Sequence, residues 1–177
     1  MFPEYKTSLI NNQPIIGVLT QPSAWPKIYD PSEFSYLAAS YIKFLEQSGA
    51  RVLPLRYNLP ENQLAKLFSA INGLVIPGGG ADLFNKNNKE KKENNPILNE
   101  FTQFSKTVKY LISLALKANE EGEYFPIFAI SLGFETMIST IANDMQILDS
   151  FNSTNHSNNL KFQKVLFSFY LKGQLYE

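Results

Sequence analysis

An alternation of short apolar runs with stretches of helical spacing constrains this chain more than any other feature. The first run, Ile15-Ile16-Gly17-Val18-Leu19-Thr20, follows Pro14. It is apolar at odd and even positions alike, as in a strand buried on both faces of a parallel sheet. Arg51-Val52-Leu53-Pro54-Leu55 reads as a second strand and Leu74-Val75-Ile76 as a third, entered through the turn Asn72-Gly73. Between the first two, Asp30-Pro31-Ser32-Glu33 has the composition of a helix start. Asp30 suits the cap, Pro31 the first turn, and Glu33 the reach-back of a capping box. Phe34, Leu37, Ala38, Tyr41, Ile42 and Leu45 then recur at helical spacing up to Gly49. Leu64, Leu67, Phe68 and Ile71 mark a second helix, opened by Pro60. The resulting β-α-β-α-β order predicts an α/β fold, a parallel sheet in a three-layer α/β/α arrangement with right-handed crossovers.

Further along, Phe101, Val108, Leu111, Ile112 and Ala115 predict a third helix, and Phe125 to Ile130 a fourth strand. The Asn- and Lys-rich stretch from Asn85 to Asn95 reads as a solvated surface loop. Phe151 to Glu177 is a divergent tail with one candidate strand, Val165 to Leu171. No repeat or internal boundary divides residues 1–177, so a single domain is expected.

Two places carry candidate chemistry. Gly78-Gly79-Gly80 falls at the carboxyl end of the third strand, where open α/β sheets hold their ligands. Ala129-Ile130-Ser131-Leu132-Gly133 has the layout of a nucleophile elbow, with small residues two positions either side of Ser131. Such a turn lifts a hydroxyl above the sheet beside a helix N-terminus, whose N–H groups, with one from Gly79 or Gly80, could stabilise an oxyanion. A strand followed by a small-Ser-x-Gly turn also occurs as plain structure, so the spacing leaves both readings open.

Composition removes several classes. The 177 residues hold no cysteine and one histidine, His156, which excludes disulfides, thiolate catalysis, cysteine-ligated zinc and multi-histidine metal sites. Sixteen basic residues balance sixteen acidic ones, so nothing suggests nucleic acid or an anionic membrane as partner. No apolar run approaches the ~20 residues of a membrane-spanning helix. Two glycosylation sequons, at Asn152 and Asn155, fit chance in an asparagine-rich chain.

The chain resembles the γ-glutamyl hydrolases of the class I glutamine-amidotransferase-like fold. Four blocks carry the resemblance: Pro14 to Gln21; Tyr36 to Pro54, with Ala38-Ala39-Ser40-Tyr41-Ile42-Lys43-Phe44-Leu45-Glu46; Ile71 to Gly79; and Gly122 to Glu135. Together they cover Pro14 to about Ile141. The resemblance implies cleavage of γ-linked glutamates from folylpoly-γ-glutamates, no cofactor, and a cysteine nucleophile supported by a histidine and an acidic residue. Carried over by position, Ser131 stands where the family has its cysteine, Gly79 and Leu132 supply the oxyanion donors, and Tyr41 and Glu135 line the substrate pocket.

The resemblance also marks two departures. Serine has no thiolate route and depends on a positioned base. The family's histidine and acid belong to a late Trp-His-Pro-Glu-type motif, absent from these residues, in which Trp25 is the only tryptophan. His156 lies in a polar stretch without an acidic neighbour to orient it. The expectation is therefore a truncated, C-terminally incomplete domain, catalytically impaired or an inactive pseudoenzyme, its sheet left with an open edge and one exposed face. An active hydrolase on a longer natural chain, and a non-catalytic binder of γ-glutamyl ligands, are the alternatives; a homodimer is compatible with either. Family members are secreted, lysosomal or vacuolar. The N-terminus has no apolar secretory stretch, so a chain translated as written is expected in the cytoplasm.

Overall fold

The computed structural model describes residues 11–23, 26–85, 101–144, 147–149, 151, 152, 155, 157 and 159. The expectations for Trp25, His156, the Val165 to Leu171 strand and most of the polar run after Asn85 lie outside the described residues. In chain order the elements are β1 (Ile15–Leu19), β2 (Gln21–Pro22), β3 (Ser35–Tyr36), α1 (Ala39–Gln47), β4 (Arg51–Leu55), α2 (Glu61–Phe68), β5 (Gly73–Ile76), α3 (Gln103–Glu120), β6 (Ile127–Ala129) and α4 (Leu132–Ala142). Four of the strands form a parallel sheet in the order β4-β1-β5-β6, while β2 and β3 make a short antiparallel pair. The chain leaves β1 toward β4 on one side and returns across it to β5 on the other. That reversal opens a crevice at the carboxyl ends of β1 and β5.

Register explains why the strand sequences are apolar throughout. Leu53, Gly17, Leu74 and Ile127 align across the sheet, and so do Pro54, Val18, Val75 and Phe128. The first row faces the main core, where Leu74 joins Leu64 of α2 and Phe104, Val108, Leu111, Ile112 and Ala115 of α3. Fully burying a side chain of this kind is worth about 1.5–3 kcal/mol. The second row faces the other way: Val18 and Val75 are buried but stand apart from that cluster. Helix α1 packs on β4 and β1 and contributes no residue to the main core. The α/β fold, with a parallel four-strand sheet and flanking helices, is as the alternation predicts.

Helix α1 corrects one expectation. It starts at Ala39, not at Asp30, and its cap residue Ala38 makes no side-chain bond. Asp30 instead closes a single turn. Its Oδ1 accepts the Ser32 N–H at 2.8 Å, and its carbonyl accepts those of Glu33 and Phe34 at 3.0 and 2.8 Å. Arg56 Nη2 then donates to the carbonyls of Ser32 and Glu33 at 3.4 and 3.1 Å, acceptors that a continuing helix would have used. Ser35 and Tyr36 extend to pair with Pro22 and Gln21. The capping-box composition was a sound local signal, but tertiary contacts overrode it.

β6 is also shorter than the apolar run suggests. Asn119 at the end of α3 brackets Phe125, donating Nδ2–H to its carbonyl at 2.8 Å and accepting its N–H on Oδ1 at 3.1 Å. That clamp fixes where the chain enters the sheet, and pairing with β5 begins beyond it.

Candidate active site

Ser131 sits between β6 and α4 with φ 52° and ψ −121°, a backbone conformation that L-residues avoid at a cost of about 1–3 kcal/mol. Two contacts hold it there. The Ile130 N–H donates to the Ile76 carbonyl at 3.0 Å, extending the β5–β6 pairing to the residue before the turn. Gly133 then packs directly on the end of β5. A Cβ at this position would collide with the Ile76 carbonyl oxygen and lie 2.9 Å from that of Pro77. Helix α4 therefore starts in contact with the strand tip, and the tight connection forces the serine upward. Ser131 is exposed, and its Oγ has no hydrogen-bond partner among the described residues. Leu132 opens α4, so its N–H belongs to the first-turn donors that a helix leaves without an internal acceptor.

The glycine loop after β5 meets this turn. A Cβ on Gly78 would stand 2.9 Å from the Ser131 Cβ and 3.0 Å from the Tyr41 hydroxyl. Gly78 donates its N–H to that hydroxyl at 3.0 Å. The next free donor along the loop is therefore Gly79, one Cα step of about 3.8 Å further on. Gly79 is a glycine because the Gln21 side-chain amide lies against its Cα, where a Cβ would collide with Gln21 Oε1. Gln21 is 3% exposed and donates Nε2–H to the Pro77 carbonyl at 3.1 Å, bracing the strand end from below. Ser131, Leu132, Gly79 and Tyr41 thus converge on one strand-tip region. Glu135 lies in the first turn of α4, its N–H donating to the Ser131 carbonyl at 3.0 Å. Its exposed carboxylate has no ion-pair partner among the described residues. A negative charge in that first turn is favoured by the helix dipole.

Beyond Gly80 the crevice widens into a cavity of about 320 Å³, lined among others by Gln21, Tyr36, Tyr57, Asp82, Thr102 and Gln103. Tyr57 donates its hydroxyl to the Pro31 carbonyl at 2.9 Å, and burial pushes its phenol above the usual value. A second groove of about 210 Å³ shares Ser23 and Tyr36 and carries the edge-to-face pair Tyr29–Phe34, centroids 5.5 Å apart. None of these residues carries a site signal in the sequence. Gln21 was legible as a polar side chain ending a buried strand, whereas Tyr36, Tyr57 and Asp82 come from three separate connections and share no spacing.

A parallel α/β sheet with a strained turn at one strand tip and a glycine loop beside it is consistent with the class I glutamine-amidotransferase-like architecture. Within that class the chain belongs to the Peptidase C26 family, whose model matches residues 14–167. It is 36% identical over 156 residues to gamma-glutamyl hydrolase B of Dictyostelium discoideum, covering 88% of this chain and 40% of that protein. It is 34% identical to gamma-glutamyl hydrolase 1 of Arabidopsis thaliana, over 86% of this chain and 39% of the relative. Identity to the gamma-glutamyl hydrolase of Homo sapiens is 33%, over 75% and 36% of the two chains. The matched region thus spans about 40% of the length of the first two relatives.

Proposed function

We propose that this chain provides the acyl-binding half of a γ-glutamyl hydrolase site, and that Ser131 makes its hydrolysis slow relative to cysteine-bearing relatives. The strained backbone at Ser131 carries this reading. A non-glycine residue held at positive φ between strand and helix, beside a glycine loop, suits a nucleophile presented to a carbonyl carbon. The N–H groups of Leu132 and Gly79 are the oxyanion donors in this reading. Tyr41 fixes the loop that carries one of them, and Glu135 offers a carboxylate to a donor group on the ligand. The relatives' names supply the bond type, a γ-glutamyl linkage, and the family resemblance supplies folylpoly-γ-glutamate as its substrate class.

Impairment follows from the chemistry of oxygen and sulfur. A cysteine thiol near pKa ~8.5 is readily lowered to a thiolate, while a serine hydroxyl needs a base within hydrogen-bond reach. A positioned general base contributes roughly 10²–10⁴-fold, and no side chain among the described residues hydrogen-bonds to Ser131 Oγ. Binding needs no such base. Titration calorimetry of the full natural chain and of Ser131→Ala with folyl-di-γ-glutamate tests the reading. Comparable binding by both is expected, and no heat from either protein while circular dichroism shows both folded would refute it.

A further inference from the structure

Three aromatic side chains that the hydrolytic reading leaves unused line the groove beside the cavity. Tyr29, Phe34 and Tyr36 form its walls together with Ser23 and Ser35, around a space of about 210 Å³. They are 47%, 48% and 40% exposed, and none joins the main core or the apolar residues packed against it. One half-exposed ring is ordinary on a protein surface, but three around a single groove are the mark of a binding surface.

The backbone beneath them is held firmly. Every carbonyl from Asp30 to Glu33 accepts a hydrogen bond. That of Asp30 takes the Glu33 and Phe34 N–H groups, and Tyr57 donates its hydroxyl to that of Pro31. Arg56 serves Ser32 and Glu33, and Asn58 Nδ2 adds a donor to the Ser32 carbonyl at 3.4 Å. On the other side of Phe34, Ser35 and Tyr36 pair with Pro22 and Gln21. Phe34 is thus anchored before and after, and its ring meets that of Tyr29 edge to face. A slack loop would fold such rings inward, away from water. This one is fixed with them outward, and a fixed surface loses little freedom when a ligand arrives.

We infer that the groove of Tyr29, Phe34 and Tyr36 stacks an uncharged aromatic ring carried by the ligand of the neighbouring site. The inference rests on the proposed γ-glutamyl site and adds the feature that sorts its ligands. Rings set at an angle offer both a face and an edge, the two geometries in which aromatic groups attract. No charged side chain lines the groove, so an ionic head would find no counter-charge there. Ser23 and Tyr36 line both the groove and the cavity beyond Gly80, and Gly78 abuts Ser131. A ligand lying along this path has its γ-glutamyl bond at Ser131 and its ring a cavity's width away.

Calorimetry on the full natural chain tests this with folyl-di-γ-glutamate and ring-free N-acetyl-di-γ-glutamate. The two probes share the γ bond and the acylated α-nitrogen, and differ in the aromatic part. The ring-bearing probe should bind more tightly by about 10-fold or more. Phe34→Ala should cut that preference by about threefold or more, and Tyr29→Ala with Phe34→Ala should bring it to within about twofold. Phe34→Tyr, which keeps the ring, should retain it. Equal binding of the two probes by the parent overturns the stacking site while leaving the γ-glutamyl site standing. A preference unchanged in the double variant, folded by circular dichroism, places the ring elsewhere and overturns the assignment. Binding of neither probe by folded protein removes the γ-glutamyl site itself and this inference with it.

Discussion

Gly78 gives its backbone N–H to the hydroxyl of Tyr41 at 3.0 Å, tying the glycine loop after β5 to helix α1. This bond joins α1, which contributes no residue to the main core among the described residues, to the strand tip. Tyr41→Phe keeps the ring and removes the acceptor, leaving a partly buried N–H unpaired. A loss of about 1–3 kcal/mol in urea unfolding is expected, with γ-glutamyl affinity falling as the loop loosens. An unchanged unfolding midpoint would mean that the bond contributes nothing to loop position.

Gly133 has no room for a side chain, because a Cβ would overlap the Ile76 carbonyl oxygen. Backbone cannot rotate aside as a flexible side chain does, so the helix itself would have to move. Gly133→Ala should destabilise the fold by about 1–3 kcal/mol. The far-ultraviolet circular dichroism melt reads this directly, and a melt matching the parent would disprove the close approach of α4 to β5.

Ser131 stores strain that glycine would not feel. At φ 52° and ψ −121°, Ser131→Gly relieves the Cβ clash but adds freedom to the unfolded chain. The first effect, about 1–3 kcal/mol, exceeds the second, about 0.5–1 kcal/mol, so the variant should be more stable. Denaturant titration showing a less stable Ser131→Gly would contradict the strained turn.

Tyr57 supplies the pH dependence. Its phenol is pushed above the ordinary value, chiefly by burial, so the folded state holds the proton more tightly than the unfolded one. That contribution is fully present below pH ~10 and is lost as pH rises through the raised value. At neutral pH the parent should exceed Tyr57→Phe by about 1 kcal/mol through the bond to the Pro31 carbonyl. The difference should shrink above pH ~10 in unfolding midpoints measured across the alkaline range, and a constant difference would argue against coupling of that proton to folding.

Apolar runs and turn residues disclosed the sheet because its central strands β1 and β5 are largely buried on both faces, and burial leaves a continuous signature. The bounds of β4 follow directly from Arg51 to Leu55, and α2 opens after Pro60. The start of α1 was hidden because Asp30-Pro31-Ser32-Glu33 is locally consistent with a helix. Only Arg56 and the Gln21–Tyr36 pairing, both distant in sequence, decide otherwise. The elbow was legible at Ala129, Ser131 and Gly133, since steric limits on that turn select residue size at fixed spacing. The cavity was not, because Gln21, Tyr57, Asp82 and Gln103 meet only through the topology.

Glutamate release by the full natural chain and by its Ser131→Cys variant, assayed side by side on folyl-di-γ-glutamate, tests the central claim most directly. With Ser131 at the nucleophile position, cysteine should raise the rate by about 100-fold or more over the parent, since it restores a thiolate-capable group. A folded Ser131→Cys protein that binds the substrate and releases glutamate no faster than the parent would contradict the account.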